Sequence, residues 1–317
     1  MQHDPLKRSI HPMLATLVKH PFDDPDWIFE PKWDGFRAIA EGQGGQIHLY
    51  SRNGQDLRDR YPKIVQALKT IHHSFVLDGE IVILDDRGRS HFQALQNYQN
   101  TGEGSLCYCV FDLLSLDGKD LCKSPLLKRK QALSGLLLKK HGPILLTPWS
   151  QGDGKEAFSK ALQDELEGIM AKETHSLYLE GRRVKTWLKI KAHQQQEMVI
   201  CGYTPPQHSR EEFGALLLGV RELHQWKYAG CVGTGFTVQT LHELMQQMRP
   251  LMTEQCPFSE CPKGLSSPVW VKPHLVCEVA FTEWTADEKL RHPSFLGLRS
   301  DKAARDVHRE HAADEHA

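Results

Sequence analysis

The chain has 317 residues, of which 40% are hydrophobic and 25% charged, which is typical of a globular protein with room for two domains. A formal net charge of −1 excludes a strongly basic surface overall, so any site for a polyanion must come from local clusters of basic residues. The N-terminus is polar and no apolar run reaches membrane-spanning length, so we expect no membrane association and eight free thiols in a reducing cytoplasm.

The chain up to residue 192 combines strands with a few helices. Apolar runs predict strands within 27–51 and at 75–84, 106–114, 143–149, 168–172 and 184–191. Apolar residues at helical spacing predict helices at 61–71, 124–139 and 155–166. Runs of strands broken by helices, without a regular alternation of the two, favour an α+β fold with antiparallel sheets.

A polar stretch at 192–196 marks a boundary, so we predict one domain at 1–192 and a second, with a polar C-terminal tail, at 193–317. In the second domain the sequence predicts a helix at 238–249 and strands at 197–203, 213–221, 225–233 and 275–284. A small β-barrel with one helix is consistent with an oligonucleotide-binding (OB) fold.

Lys32 is a candidate nucleophile. It lies between an apolar segment, residues 27–29, and the turn-forming sequence Trp33-Asp34-Gly35. An amine attacks phosphorus or a carbonyl carbon only when it is deprotonated, so the site must lower the pKa of Lys32 by desolvation or by neighbouring positive charge.

Two glutamates adjoin apolar strands. Glu80 lies inside the strand at 75–84, and Glu167 precedes the strand at 168–172. A buried carboxylate either pairs with a structural arginine or turn, or it binds a ribose hydroxyl or a metal. Two such carboxylates can together hold Mg²⁺ or Mn²⁺ through oxygen ligands.

Other side chains suit phosphate or base contacts. Lys189 and Lys191 alternate with apolar residues, so both leave one face of a strand, which is either the wet face of an edge strand or a phosphate site. Arg52 follows a strand in a turn and is suited to a phosphate. Phe111 is either part of the core or a ring that stacks on a purine.

Basic residues also cluster at 119–140 and at 182–191. The first cluster, which contains Lys128, Arg129, Lys130 and Lys140, is slightly better explained as the solvated face of a helix than as a DNA contact. The second is interleaved with apolar residues, which favours a binding site.

Taken in order, these segments resemble the successive nucleotidyltransferase motifs of ATP-dependent DNA ligases. The similar segments are Lys32-Trp-Asp34-Gly35, Ser51-Arg52-Asn53-Gly54, Leu77-Asp-Gly79-Glu80, Phe111-Asp-Leu-Leu, Glu167-Gly168-Ile-Met-Ala-Lys172 and Trp187-Leu-Lys189-Ile-Lys191. Residues 291–302 resemble the last ligase motif, which lies on the OB domain. Segments 11–16, 21–27, 213–219, 232–236 and 281–286 extend the similarity to the ligase domain of bacterial DNA ligase D.

The resemblance implies a nucleotidyltransferase domain with antiparallel sheets and flanking helices, followed by a C-terminal OB-fold domain. It also implies a reaction in three steps: Lys32 takes AMP from ATP, AMP passes to the 5′-phosphate of a DNA nick, and the 3′-hydroxyl then seals the strand. The implied catalytic residues are Lys32, Asp34, Arg52, Lys189, Lys191, Arg299, Asp301 and Lys302. The implied nucleotide contacts are Glu30, Lys32, Gly35, Arg37, Arg52, Glu80, Phe111, Lys189 and Lys191, and the implied ligands for Mg²⁺ or Mn²⁺ are Glu80 and Glu167.

The resemblance to the last ligase motif also implies a role in the first step, when pyrophosphate leaves. Arg299, Asp301 and Lys302 would contact the departing pyrophosphate, with a hinge near residues 192–196. The implied partners are nicked or broken duplex DNA and a Ku-like end-binding protein, and we expect a monomer that acts in the bacterial cytoplasm at the nucleoid. Two alternatives remain open: an RNA ligase or capping guanylyltransferase, which share the lysine chemistry, and a non-catalytic module that binds DNA ends.

Overall fold

The computed structural model describes residues 10–90, 92–139, 141–206 and 212–312. The polar N-terminal residues 1–9, Lys140 and the last five residues of the predicted tail lie outside these ranges. The chain divides into a first unit that runs to Ala192 and a second unit, His193–Glu310. None of the helices within the described ranges has both the length and the apolar composition that a membrane span requires.

The described residues of the first unit form eleven strands and four α-helices. The strands are β1 (Leu14–Val18), β2 (Asp24–Pro31), β3 (Phe36–Gln43), β4 (Gln46–Ser51), β5 (Phe75–Leu84), β6 (Ser105–Leu116), β7 (Lys119–Asp120), β8 (Ile144–Leu146), β9 (Ser150–Gly152), β10 (Gly168–Glu173) and β11 (Arg183–Lys191). The helices are α1 (Pro62–Leu68), α2 (Phe92–Thr101), α3 (Leu126–Leu136) and α4 (Gly154–Gln163).

These strands form two sheets. The first has the order β1-β11-β10-β2-β9, and the second has the order β4-β3-β5-β6-β7 with β8 beside β6. Neighbours pair in antiparallel fashion, as the sequence predicts, except that β1 with β11 and β6 with β8 are parallel. Both parallel pairs join segments that are far apart in sequence, which is why local patterns give no sign of them.

The two sheets pack face to face. Ile28 and Trp187 of the first sheet lie in one apolar cluster with Ile39, Val76 and Leu114 of the second. Because side chains alternate along a strand, the residues between these point away from the partner sheet. Those of the first sheet pack on α4, and those of the second pack on α1 and α2. The space between the sheets is therefore enclosed on both sides by strand side chains.

In the second unit, the part of the chain that the structure describes forms seven strands and one α-helix. Its strands are β12 (Gln195–Tyr203), β13 (Leu216–Glu222), β14 (Gln225–Val232), β15 (Met252–Thr253), β16 (Val269–Val271), β17 (Val276–Ala280) and β18 (Ser294–Leu298). They form one sheet in which β12 pairs with β13, β16 and β17. The helix α5 (Val238–Met248) starts at Thr237, whose side chain accepts a hydrogen bond from the amide of Thr240, and buries Leu241, Leu244 and Met248. Short 3₁₀ helices span Arg249–Leu251 and Ala304–Asp306.

The predicted helices at 61–71, 124–139 and 155–166 are present in shorter form as α1, α3 and α4. The helix α2 and the strand β1 are not predicted from the sequence. The predicted strand at 143–149 is reduced to β8, because the chain continues through Thr147 and Pro148 before it pairs again as β9. The elements that carry the candidate site residues, β2, β5, β6, β10 and β11, all lie where the apolar patterns place them.

Candidate active site

Lys32 and Glu167 meet because β2 and β10 are neighbours. The backbone amide of Lys32 donates a hydrogen bond to the carbonyl of Gly168 (3.0 Å), directly after the pair Pro31–Ile169 that ends the β2–β10 ladder. The Nζ of Lys32 forms an ion pair with Oε2 of Glu167. Their side chains are 19% and 8% exposed, so the pair is largely removed from water. Two of the predicted motifs thus meet at one point.

The charge state of Lys32 differs from the sequence expectation. Burial, the largest single effect, lowers the pKa of Lys32, whereas the charge and hydrogen bond of Glu167 and the charge of Asp34 raise it, and the net effect is a pKa above the ordinary lysine value. Lys191 lies close enough to oppose this rise. Lys32 is therefore a paired ammonium in this structure, and it must lose both the proton and its partner before it can attack.

Lys189 and Lys191 lie on an interior strand. β11 has β1 on one side and β10 on the other, so the reading of these lysines as the wet face of an edge strand is wrong. Both residues share a strand face with Trp187, which is buried between the sheets. Lys191 pairs in register with Gly168, and Lys189 with Met170. Their ammonium groups therefore belong to the same side of the sheet as Lys32.

Gly35 and Gly168 are required by close backbone contacts. A Cβ at Gly35 would lie 2.1 Å from the carbonyl oxygen of Ile81, so only glycine lets this segment pack on β5. The φ of Gly35 is not positive, so this packing is what requires a glycine here. Gly168 has φ +146°, and its Cβ would lie 2.1 Å from the carbonyl oxygen of Ile190. Both glycines therefore fix backbone positions beside Lys32.

Arg37 is held rigidly at the opposite sheet. Its Nε and Nη2 donate to both carboxylate oxygens of Asp78 (3.0 and 2.6 Å), and its Nη1 donates to the carbonyl of Met13 (2.7 Å). Burial lowers the pKa of Arg37, but Asp78 more than compensates, so the guanidinium stays charged. Tyr178 donates to the same carboxylate (2.7 Å). Neither Asp78 nor Tyr178 is predicted from the sequence to have a role, although a carboxylate within an apolar strand signals a buried partner.

The remaining predicted residues of the first unit lie near these strands or in their connections. Glu80 pairs in register with Arg37 and, by the alternation of β5, faces the same side as Asp78. Asp34 lies outside the strands, and its backbone amide donates a hydrogen bond to Oγ of Ser90 (3.0 Å). Its negative charge contributes to the raised pKa of Lys32. Arg52 is half-buried in the turn that follows β4.

A second charged group lies deeper between the sheets. Glu30 is paired through Oε2 with the Nζ of Lys172 (2.7 Å) and through Oε1 with the Nζ of Lys130. The Lys172 ammonium lies 4.3 Å from the centroid of the Phe111 ring and 4.0 Å from that of Trp187. Neither a role for Lys172 nor the pairing of Lys130 with Glu30 is predicted from the sequence. A lysine within the apolar strand β10 nevertheless signals a buried partner, as Asp78 does within β5.

The basic helix α3 is not a solvated face along its whole length. Arg129 is fully buried and forms a bidentate pair with Asp112 (2.8 and 2.9 Å), and Lys130 is 1% exposed beside Glu30. Only Lys128 of these three is exposed. Both the solvated-face reading and the DNA-contact alternative are therefore wrong for Arg129 and Lys130, because buried carboxylates on β2 and β6 pair with them.

The predicted residues of the last motif form two groups of ion pairs in the second unit. Arg299 binds both oxygens of Asp301 (2.9 Å each) and lies 3.5 Å from Oε2 of Glu278. Lys302 pairs with Glu197 (2.6 Å). The side chains of Arg299 and Lys302 are 11% and 16% exposed, so both ion pairs are largely removed from water.

Two protein-family models together match most of this chain. The ATP dependent DNA ligase domain model matches residues 12–191, and the ATP dependent DNA ligase C terminal region model matches residues 209–302. The multifunctional non-homologous end joining protein LigD of Pseudomonas aeruginosa is 37% identical over 98% of this chain and 38% of that protein. DNA ligase C of Mycobacterium tuberculosis is 30% identical over 94% of this chain and 84% of that protein.

A solved structure gives the same result. The structure of mycobacterial DNA ligase D complexed with ATP and MES has a TM-score of 0.70 and 34% identity, and the match covers 95% of this chain and 98% of that chain. This likeness confirms the predicted α+β class with a nucleotidyltransferase domain and a C-terminal OB-type domain. The chain spans about two fifths of the length of the LigD proteins it matches, 38% to 40%.

Proposed function

Since the chain belongs to the ATP-dependent DNA ligase family, we propose that Lys32 is the residue that carries AMP during strand sealing. The Nζ lone pair would form a bond to the α-phosphorus of ATP, and the bond between the α- and β-phosphates would break so that pyrophosphate leaves with the electron pair. The observation that carries this proposal is the meeting of Lys32, Glu167 and Lys191 at one enclosed point between β2, β10 and β11.

The next two steps exchange phosphate bonds on DNA. The 5′-phosphate oxygen at a nick takes AMP from Lys32, and the 3′-hydroxyl then attacks that phosphate while AMP leaves. Transfers of this kind depend mainly on positioning and on charge neutralisation. Lys189, Lys191 and Arg37 supply positive charge from strands whose neighbours fix them. The roles of Asp34, Arg52, Phe111 and Gly35 toward the nucleotide are carried by the resemblance of their motifs alone.

Glu80 and Glu167 suit a divalent cation. Mg²⁺ and Mn²⁺ prefer oxygen ligands, and a site beside phosphates commonly uses one or two carboxylates with substrate and water oxygens as the rest. In the described part of the chain, no three His, Cys, Asp or Glu side chains form a group that could hold a metal ion. Glu80 and Glu167 therefore fit a site in which phosphate and water oxygens complete the coordination of the cation. The cation would neutralise phosphate charge. Glu167 would turn from Lys32 toward it.

The biological role is proposed from the relatives. LigD of Pseudomonas aeruginosa is named as a multifunctional non-homologous end joining protein, which favours the repair of double-strand breaks in the bacterial cytoplasm as the role of this chain. Nicked or broken duplex DNA would be the substrate. We expect the chain to act as a monomer, recruited by a Ku-like end-binding protein.

One experiment tests the proposed function. The protein is incubated with Mg²⁺ and ATP labelled at the α-phosphate, and then with a nicked duplex that carries a 5′-phosphate. We expect a labelled protein band, loss of that label to DNA, and a sealed strand. Labelling with GTP in place of ATP would favour a capping enzyme, sealing of nicked RNA alone would favour an RNA ligase, and binding of DNA ends without any labelling would favour the non-catalytic module.

We expect Lys302→Ala to affect the first step selectively. If Lys302 stabilises the departing pyrophosphate, its loss should slow self-adenylation by about a hundredfold, the usual effect of removing one charge-stabilising donor. Sealing of a chemically pre-adenylated nick should change little, because no pyrophosphate leaves in that step. Arg299→Ala is less suitable, because it would leave Asp301 and Glu278 buried without their cation.

The matched control for this variant is Lys263→Ala, which removes an exposed lysine from the same unit. Rates are measured side by side on ATP with nicked DNA and on pre-adenylated nicked DNA. Equal losses on the two substrates would assign Lys302 to DNA binding or to the stability of the second unit.

DNA affinity should depend on exposed basic residues at the start of β11. Arg182 and Lys185 are exposed, whereas the buried residues of α3 cannot reach DNA. We expect the double replacement by alanine to weaken binding to a nicked duplex and to reduce the slope of log affinity against log salt by about 2. Replacement of the exposed Lys69 and Lys160 removes the same charge elsewhere. An equal loss of slope in both double variants would mean that only net charge matters.

A further inference from the structure

The deepest charges of the first unit form a group in which only Glu30 has a role implied by the ligase motifs, as a nucleotide contact. Glu30, Lys130 and Lys172 are 2%, 1% and 1% exposed, and they come from β2, α3 and β10. The two ammonium groups pair with different oxygens of the one carboxylate. A second buried pair, Asp112 with Arg129, lies beside them and is neutral in itself. The group therefore contains one positive charge more than its carboxylates balance.

Such an arrangement is costly for stability alone. Removing charges from water costs several kcal/mol per ion, and apolar side chains of similar volume commonly serve stability as well or better. Buried excess charge in an enclosed space is more typical of a binding site. Burial lowers the pKa of Lys172 to about 8, and Lys130 also lowers it, whereas Glu30 and Asp112 raise it, as expected when the opposite charge is shared.

The Lys172 ammonium has a defined position. It lies between the rings of Phe111 and Trp187, whose planes are 77° apart with their centroids separated by 6.3 Å. The negative face of an aromatic ring attracts a cation at such distances. An ammonium has three N–H groups, and the ion pair with Glu30 requires only one of them, so the others can donate to a ligand that lies against the Phe111 ring. That ring is the predicted stacking surface for a purine.

Lys130 fixes the orientation of the Glu30 carboxylate. It lies on α3, outside every segment that resembles a ligase motif, and it forms an ion pair with Oε1 of Glu30. An ammonium at Oε1 leaves Oε2 as the oxygen that faces Lys172. Without Lys130, the carboxylate could rotate, and Lys172 would lose the partner that holds it beside Phe111.

We propose that Lys130 is a positioning residue for recognition of the purine base: through Glu30 it holds the Lys172 ammonium beside Phe111, where that ammonium donates a hydrogen bond to a ring nitrogen of the base. The role rests on the proposed function, because ATP is the nucleotide concerned. Lys172 would touch the base, whereas Lys130 would act only through Glu30.

The experiment separates base recognition from phosphate binding. Calorimetry on the Lys32→Ala background, in which no covalent step occurs, measures the affinity for ATP and for inorganic tripolyphosphate, which has no base. We expect Lys130→Met to weaken ATP binding about tenfold, the value of one hydrogen bond to a charged group. Tripolyphosphate binding should not change. Lys130→Arg, which keeps the charge, should restore most of the ATP affinity.

The matched control is Lys128→Met, two positions away on the exposed side of α3, which should alter neither affinity. In the Lys32-containing protein, Lys130→Met should raise the KM for ATP in self-adenylation about tenfold with little change in kcat. Lys172→Met should have the same effect as Lys130→Met, and the double variant should be no worse than either, because both act on one contact.

Three outcomes would overturn the proposal: unchanged ATP affinity in Lys130→Met, equal weakening of ATP and tripolyphosphate, or additive losses in the double variant. Thermal unfolding establishes whether each variant is folded. If Lys130→Met does not fold, Lys172→Met and Glu30→Gln make the same comparison of the two ligands. Failure of the wild-type protein to label Lys32 would refute the proposed function instead, since the calorimetric comparison does not depend on that label.

Discussion

Lys32→Arg should abolish self-adenylation, with a loss of at least about three orders of magnitude in rate. Arginine keeps the positive charge and can keep an ion pair with Glu167, but it does not deprotonate at working pH and so supplies no lone pair. Lys32→Ala should be equally inactive. The measurement is intact-protein mass spectrometry after incubation with ATP and Mg²⁺, where the wild-type chain gains the mass of AMP.

The control is Lys160→Arg, the same replacement at an exposed lysine of α4, which should adenylate at the wild-type rate. Peptide mapping locates the adduct in the wild-type protein. AMP found on another lysine, or labelling retained in Lys32→Arg, would remove Lys32 from the role of nucleophile. Sealing of a pre-adenylated nick by Lys32→Ala separates this role from folding, because that step needs the intact unit but no lysyl adduct.

Glu167→Gln should reduce self-adenylation by at least roughly a hundredfold, because the amide keeps the shape of the side chain but loses the charge that would hold a divalent cation. Glu167→Ala should be at least as severe. The measurement is the initial rate of labelling as Mg²⁺ or Mn²⁺ is varied. We expect both variants to need more metal than the wild-type protein, and Mn²⁺ in excess to restore part of the rate.

Glu165→Gln is the matched control, because Glu165 lies two residues earlier, is 69% exposed and pairs with Arg89. It should leave the metal dependence unchanged. A Glu167→Gln variant with a lower rate but the wild-type metal titration curve would show that Glu167 serves only to pair with Lys32. A normal rate would leave Glu167 no part in the first step.

The sequence predicts which charged residues lie on the same face of a strand better than it predicts which strands become neighbours. The apolar pattern of β2, β10 and β11 is strong enough to give the faces of Lys189 and Lys191, and the order of the motifs brings Lys32 to Glu167. The sequence does not predict that β11 is an interior strand. That follows from the parallel pairing of β1 with β11, which joins residues about as far apart as the first unit allows.

Buried charges on helices are harder to predict for a physical reason. Helical spacing shows which residues share a face of a helix. A basic face is predicted to be exposed to solvent unless the distant carboxylates that neutralise it are known. Arg129 and Lys130 are buried and form ion pairs with Asp112 of β6 and Glu30 of β2, respectively. Nothing within the sequence of α3 itself indicates either partner. For α2, by contrast, a signal exists: Phe92, Leu95 and Tyr98 recur at three-residue spacing and are all buried.

The register between β2 and β10 has an evolutionary consequence. Glu30 lies opposite Met170 and faces the second sheet, while its neighbour Phe29 faces α4. Side chains alternate with a period of two, so inserting or deleting a single residue in either strand would exchange the two faces. The carboxylate of Glu30 would then lie against the apolar side of α4, and a phenyl ring would enter the space beside Lys32. Length changes in this lineage should therefore accumulate in hairpins such as 43–46, while β2 and β10 diverge only by substitution.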